Sequence, residues 1–245
     1  LSIKLRQTTP MPYLKYISDK NLCSAVARVV EIIEIAEHDA ETKLYSNVLD
    51  PFSALFHGVT HSISYKAWVR QEKTRQIQKT MQNAIGDFHQ EILGNIVGWK
   101  NLGFSGGLDV INKKKKIIAE IKNKYNTTKG NHKVEIYDAI KEKIKLPEYN
   151  DYVGYYVEVI PRGKKKYDKP FTPSDSKTGK CRPTRNRIRM IDGVSFYKLA
   201  TGRKNALQEL FEVLPQVIVD KHKYKLNSQE AKEYFKLFEL AFSTK

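Results

Sequence analysis

The sequence predicts one α/β domain, a central mixed sheet flanked by helices with further helices added, and three observations predict it. Long stretches carry apolar residues at every third or fourth position. Two short apolar segments meet at a lysine turn, and one run, YVGYYVEVI, is dense in strand-forming residues. The chain has 245 residues and is 40% hydrophobic, enough to build a sizeable core.

In chain order, the first ten residues, LSIKLRQTTP, read as part of an extension of about twelve residues that carries no function. Ser18 is placed to N-cap a helix reaching about Glu41, in which Leu22, Val26, Val29, Ile33 and Ala36 recur at helical spacing. A longer helix is predicted from Tyr65 to Ile96, with Ile77, Met81, Ile85, Phe88, Ile92 and Ile96 in one stripe. Gly103, Gly106 and Gly107 end the helical pattern, and the segment after them has period two around a turn at Lys113 to Lys116. Next come a helix from His132 to Lys145, turning Val134, Tyr137, Ile140 and Ile144 inward, and a strand from Tyr152 to Ile160. The order to this point is α, β, β, α, β. Two helices, about Asn205 to Lys221 and Ser228 to Ser243, close the chain. With no internal repeat and no long flexible linker, residues 1–245 read as a single domain whose core spans about 65–160.

Charge narrows the class of partner. There are 43 Lys and Arg against 27 Asp and Glu, a net charge of +16, which gives a field that concentrates polyanions. Nucleic acid is the first partner to consider; a basic protein whose charge only aids solubility is the plain alternative. The excess is clustered: residues 162–189 hold eleven Lys and Arg against two acids. Cys23 and Cys181 have no metal-type spacing, which speaks against a disulfide framework or zinc ribbon and fits a reducing cytoplasm. Glu31, Glu34 and Glu37 interrupt the richest apolar stretch, so no membrane span is expected. His57 and His61 lack a helix-borne Glu and a third ligand, and SKTGKC at 176–181 lacks the first glycine and the final hydroxyl of a phosphate loop.

The hairpin carries the chemistry. A four-residue turn pairs Val110 with Ala119, Asp109 with Glu120 and Leu108 with Ile121. Leu108, Val110, Ala119 and Ile121 then form an apolar face, and Asp109, Glu120 and Lys122 emerge together on the other. Two carboxylates with Cβ atoms roughly 5 Å apart repel unless neutralised, and a hard divalent cation with oxygen ligands does this. Mg2+ is the natural choice. A lysine beside it can orient a water or stabilise charge growing on a phosphate, which suits phosphodiester hydrolysis. The alternative is a solvated face on which the two acids pair only with Lys122 and the lysine turn.

These residues resemble the PD-(D/E)xK nuclease family, with Asp109 as the first acid and Glu120-Ile121-Lys122 as the E-x-K element; Leu108 stands where the family's name has proline. The segments LYSNVLDPFSALF (44–56), QKTMQNAIGDFHQEILG (78–94), AEIKNKYNTTKGNHK (119–133), YYVEVIPRGKKKYDKPFTPSD (155–175) and RIRMIDGVSFYKLATG (187–202) are similar to type II restriction endonucleases that cut GGNCC sites. The resemblance, covering about Tyr13 to Asp220, implies a restriction-endonuclease-like core and Mg2+-dependent cleavage of double-stranded DNA leaving 5′-phosphate ends. It also implies a homodimer in a bacterial or archaeal cytoplasm, with a cognate DNA methyltransferase protecting host sites. By the same resemblance Asp109 and Glu120 bind the metal, joined by the Ile121 carbonyl, and Lys122 positions the attacking water. The preceding helix often adds a polar group; among Asp87, His89, Gln90 and Glu91, Asp87 is kept as a further metal ligand and Gln90 as a DNA contact.

Two segments are expected to meet DNA. Residues 123–133 offer Asn123, Asn126, Thr127, Thr128, Lys129, Asn131 and Lys133 to phosphates or base edges, where the plain reading is a connecting loop. Residues 161–190 offer Lys165 and Arg182, together with Arg185, Arg187 and Arg189 alternating at strand spacing, arginine being well suited to guanine. Two rivals to site-specific cleavage stay open: a less specific repair or recombination nuclease, and a DNA-binding protein whose hairpin acids are structural. Charge alone does not separate DNA from RNA duplexes.

Overall fold

A computed structural model describes residues 11–103, 107–222 and 224–242. The ten leading residues, Gly106 and Ser243, the expected end of the closing helix, lie outside the described residues. Ser18 caps the first helix, α1 (Asp19–Lys43), its hydroxyl accepting from the Asn21 N–H at 3.2 Å. A helix α2 (Pro51–Thr60) comes next, and then the long α3 (Tyr65–Gly94). Beyond these come β1 (Lys100–Asn101), β2 (Val110–Asn112), β3 (Ile117–Lys124), α4 (Gly130–Lys143), β4 (Val153–Ile160), β5 (Asp168–Pro170) and β6 (Ile188–Asp192). Three helices close the chain: α5 (Gly193–Thr201), α6 (Ala206–His222) and α7 (Ser228–Phe242).

The six strands form one mixed sheet in the order β1-β2-β3-β4-β6-β5. β3, β4 and β6 run parallel; the outer pairings are antiparallel. This is the expected α/β architecture, a mixed central sheet flanked by helices. Both faces of the sheet are covered. On one, Val110, Ile117, Ala119, Ile121, Tyr155, Val157 and Val159 pack against α1, α3, α5 and α6. On the other, Ile111, Ile118, Tyr156 and Ile188 pack beneath Ile136, Tyr137 and Ile140 of α4. Coverage on both sides explains why β4 reads as a nearly continuous apolar run.

The hairpin register is the expected one: Val110 faces Ala119 and Ile111 faces Ile118. Leu108 departs from expectation, because it joins Ile111 and Ile118 in the second core and not Val110 in the first. Strand β2 begins only at Val110, and Gly107 turns the chain at φ +70°, so two-residue alternation does not extend back to Leu108. The helix from His132 begins at Gly130, with all four expected residues buried.

Two helices were not expected. α2 starts at Pro51, with Asp50 Oδ1 accepting from the N–H groups of Phe52 and Ser53 at 3.0 and 3.2 Å. α5 is capped by Asp192, which accepts from the Ser195 N–H at 3.0 Å, and it ends at Gly202 in the left-handed conformation, φ +76°. The arginine run does not alternate along a strand either. β6 starts at Ile188, whose N–H is donated to the Arg185 carbonyl across a turn, so Arg185 and Arg187 lie before the strand. Among the described residues no helix is long and apolar enough to cross a membrane.

Candidate active site

Strand β3 carries Glu120 and Lys122 two residues apart, hence on one face, and the Lys122 ammonium lies 2.6 Å from Glu120 Oε1. Asp109 stands opposite Glu120, one position beyond the last ladder pair. Its backbone N–H is donated to the Ala119 carbonyl at 3.0 Å, and its Oδ2 accepts the Ile121 N–H at 2.6 Å. The side chain thus substitutes for a backbone acceptor where the β2–β3 ladder ends. In an extended strand a residue's N–H and C=O share an edge, so the Ile121 carbonyl opens on the edge Asp109 occupies.

Burial, together with the charge of Glu120, pushes the Asp109 carboxyl up to about 7; Asp87 adds a smaller push in the same direction, while the Ile121 N–H and Lys122 oppose it. Two partly buried acids therefore face one ammonium, and the local balance is negative. An oxygen-only pair with a carbonyl beside it fits a hard divalent cation. Among the described residues no three His, Cys, Asp or Glu side chains gather closely enough to hold a metal unaided. Asp87, on α3, is near enough to act on Asp109 electrostatically without completing such a trio.

A model of the Eco47II restriction endonuclease family matches residues 14–222. The chain belongs to this family. It is 43% identical to the type II restriction enzyme Eco47II of Escherichia coli over 210 residues, 85% of this chain and 87% of that enzyme. It is 29% identical to the type II restriction enzyme Sau96I of Staphylococcus aureus over 212 residues, 85% of this chain and 80% of that one. Membership makes the chain a type II restriction endonuclease.

In this endonuclease the expected DNA-contacting residues are dispersed. Asn126, Thr127, Lys129 and Asn131 are exposed around the entry to α4, whereas Asn123 and Thr128 are buried, their side-chain oxygens without a hydrogen-bond partner among the described residues. Lys133 turns inward to Glu158 at 2.8 Å. Lys165 and Arg185 are exposed. Arg182 bridges Asp138 and Asp175 at 2.6 and 3.1 Å, Arg189 pairs with Asp168 at 2.5 Å, and Arg187 donates to the carbonyls of Asn150 and Tyr152. In the preceding helix, Gln90 is half-buried on α3. His89 is half-buried, its Nδ1 2.8 Å from the Tyr197 hydroxyl, and desolvation holds its pKa down to about 4. Glu91 pairs with Arg28 at 3.1 Å.

Glu158 escaped the sequence reading. It is 3% exposed, lies in register with Lys122 on the neighbouring strand, and accepts from Lys133 at 2.8 Å and from the Tyr167 hydroxyl at 2.5 Å. A signal was available: it is the one charge inside an otherwise apolar strand. Asp192, next in register on β6, is also buried, holding the Tyr167 N–H at 2.7 Å as well as capping α5. Together they fix the loop after β4 against the end of the sheet that carries Lys122.

Proposed function

We propose that this endonuclease cuts double-stranded DNA at GGNCC or a subset of it, with Mg2+ held by Asp109, Glu120 and the Ile121 carbonyl, and Asp87 as a further acid. The observation that carries the reading is the Asp109–Glu120–Lys122 constellation at the end of the β2–β3 ladder, in a chain that aligns along most of its length with two type II restriction enzymes. Asp109, Glu120 and the Ile121 carbonyl would hold Mg2+, which would supply polarisation of the scissile phosphate and a lowered pKa for an attacking water.

The chain's own residues do the rest. Asp109 is locked by the Ile121 N–H, so one carboxylate oxygen is fixed while the other is left for a ligand. Lys122, drawn to Glu120, is positioned to orient the water in line with the phosphorus and to offset charge on the phosphate oxygens. Exposed Asn126, Thr127, Lys129 and Lys165 supply phosphate contacts, and Arg185 is the candidate for reading a guanine edge. A two-fold site calls for two copies of the chain, and a cognate methyltransferase protects the host's own sites.

The deciding experiment is digestion of a sequenced phage DNA with and without Mg2+, mapping the ends by sequencing. Discrete Mg2+-dependent cuts at GGNCC or a subset are expected. A smear would favour a less specific nuclease, and folded protein that binds unmethylated DNA without cutting it would remove the catalytic reading.

A further inference from the structure

Helix α2 touches the start of α3 along one side and leaves its apolar stripe uncovered. None of its ten residues is buried. A helix this short is marginal in water unless tertiary packing holds its apolar face. That face exists: Phe52, Leu55, Phe56 and Val59 fall at positions i, i+3, i+4 and i+7, a single stripe, and each is 64–73% exposed. Tyr65 beside the helix and Tyr45, whose hydroxyls lie 3.2 Å apart, extend the patch at 66% and 65% exposure. Leu49, Pro51, Ala54, Ile63 and Trp68 line an apolar groove along the same helix.

The segment that carries the patch is itself nearly free of charge. Between Leu44 and Trp68 only Asp50 and Lys66 are charged, in a chain that is 29% charged overall, and Asp50 is occupied in capping α2. DNA is therefore excluded as the occupant, since it requires basic groups. A contact between two bodies of net charge +16 is favoured where charge has been removed, and apolar, aromatic-rich centres are typical of such contacts. Four aromatic side chains, at up to ~150–250 Å2 each when fully exposed, together with Leu55 and Val59, present on the order of 800 Å2. A standard interface takes about 800 Å2 from each partner.

We infer that the α2 stripe is the surface on which two copies of this chain meet, stripe against stripe about a two-fold axis. The inference rests on the reading of the enzyme as one that cuts two-fold sites. In a self-complementary contact the centre of the stripe meets its own copy, so α2 and the start of α3 form the seam.

Sedimentation velocity on the full chain and on Phe52→Lys/Phe56→Lys tests this. The parent is expected at twice its 28.3 kDa chain mass at micromolar concentration and the double variant at the single-chain mass, with unchanged far-UV circular dichroism. A Leu55→Cys variant, compared with the parent to account for Cys23 and Cys181, should form a covalent dimer on mild oxidation. A monomeric parent overturns the inference, as does a double variant that stays dimeric or a Leu55→Cys chain that cross-links no more than the parent. Mg2+-dependent cutting by the parent, scored separately, keeps the fate of the nuclease reading distinct from that of the interface.

Discussion

Asp109 shows how one side chain serves fold and site together. Its Oδ2 closes the hairpin ladder through the Ile121 N–H, and its burial beside Glu120 makes ionisation unfavourable until a cation shares the charge. Asp109→Asn keeps an oxygen for Ile121 but removes the charge. Cleavage of supercoiled plasmid should fall by at least ~10²–10³-fold, with DNA binding by fluorescence anisotropy within a few-fold of the parent. The same split is expected of Lys122→Ala; loss of folding in both variants would make the trio structural. His89 contributes differently. Its folded pKa of about 4 lies below the ordinary 6.5, so the unfolded chain takes up a proton first as pH falls. The stabilisation present above pH 6.5 is therefore lost between pH 6.5 and 4. Urea unfolding of His89→Gln should show a flatter pH dependence across that window than the parent.

Glycines decide how closely several elements approach, and at two of them an added side chain would meet different kinds of obstacle. A Cβ on Gly193 would lie 2.4 Å from the Val159 carbonyl oxygen and 2.7 Å from its Cα, backbone that cannot move aside without pulling β4 from the sheet. On Gly154 it would meet the Cγ2 methyl of Ile140 at 2.1 Å, a side chain on α4 with some freedom to rotate. Gly193→Ala should destabilise by about 1–3 kcal/mol and Gly154→Ala by less, with thermal unfolding midpoints in that order. The elements best foreseen were those with long periodic signals: α1, α3, α4 and β4 appear within a few residues of expectation. α2 and α5 were missed because each is short, and their caps, Asp50-Pro51 and Asp192, sit in segments read for other purposes. The edge strands β1 and β5 have two and three residues, too few for any period.

For the molecule as a whole, the charge of +16 makes DNA affinity steeply salt-dependent, but not every basic residue contributes to it. Among the described residues Arg185 has no ion pair, whereas Arg182 and Arg189 are held by acids. Arg185→Ala should weaken cognate binding by about 1–3 kcal/mol while leaving non-cognate binding nearly unchanged. An equal loss on all sequences, with a salt slope smaller by about one, would assign Arg185 to phosphate instead. Arg189→Ala should act mainly on stability, through the released Asp168 and the β5–β6 edge.

The order of residues along the chain was sufficient for the hairpin, its register and its charged trio, because β-pairing across a four-residue turn is local and period two assigns the faces within the ladder, though not as far back as Leu108. It was also sufficient for the family, since separated segments match in order. Non-local packing decided the rest. Only the folded sheet buries the face that bears Glu120 and Lys122 under α4, brings Glu158 alongside Lys122 from the strand beyond that helix, and turns Lys133 and Arg182 toward acids. Charge and residue type reveal which groups can contact DNA; whether they are free to do so depends on long-range neighbours that a linear pattern does not contain.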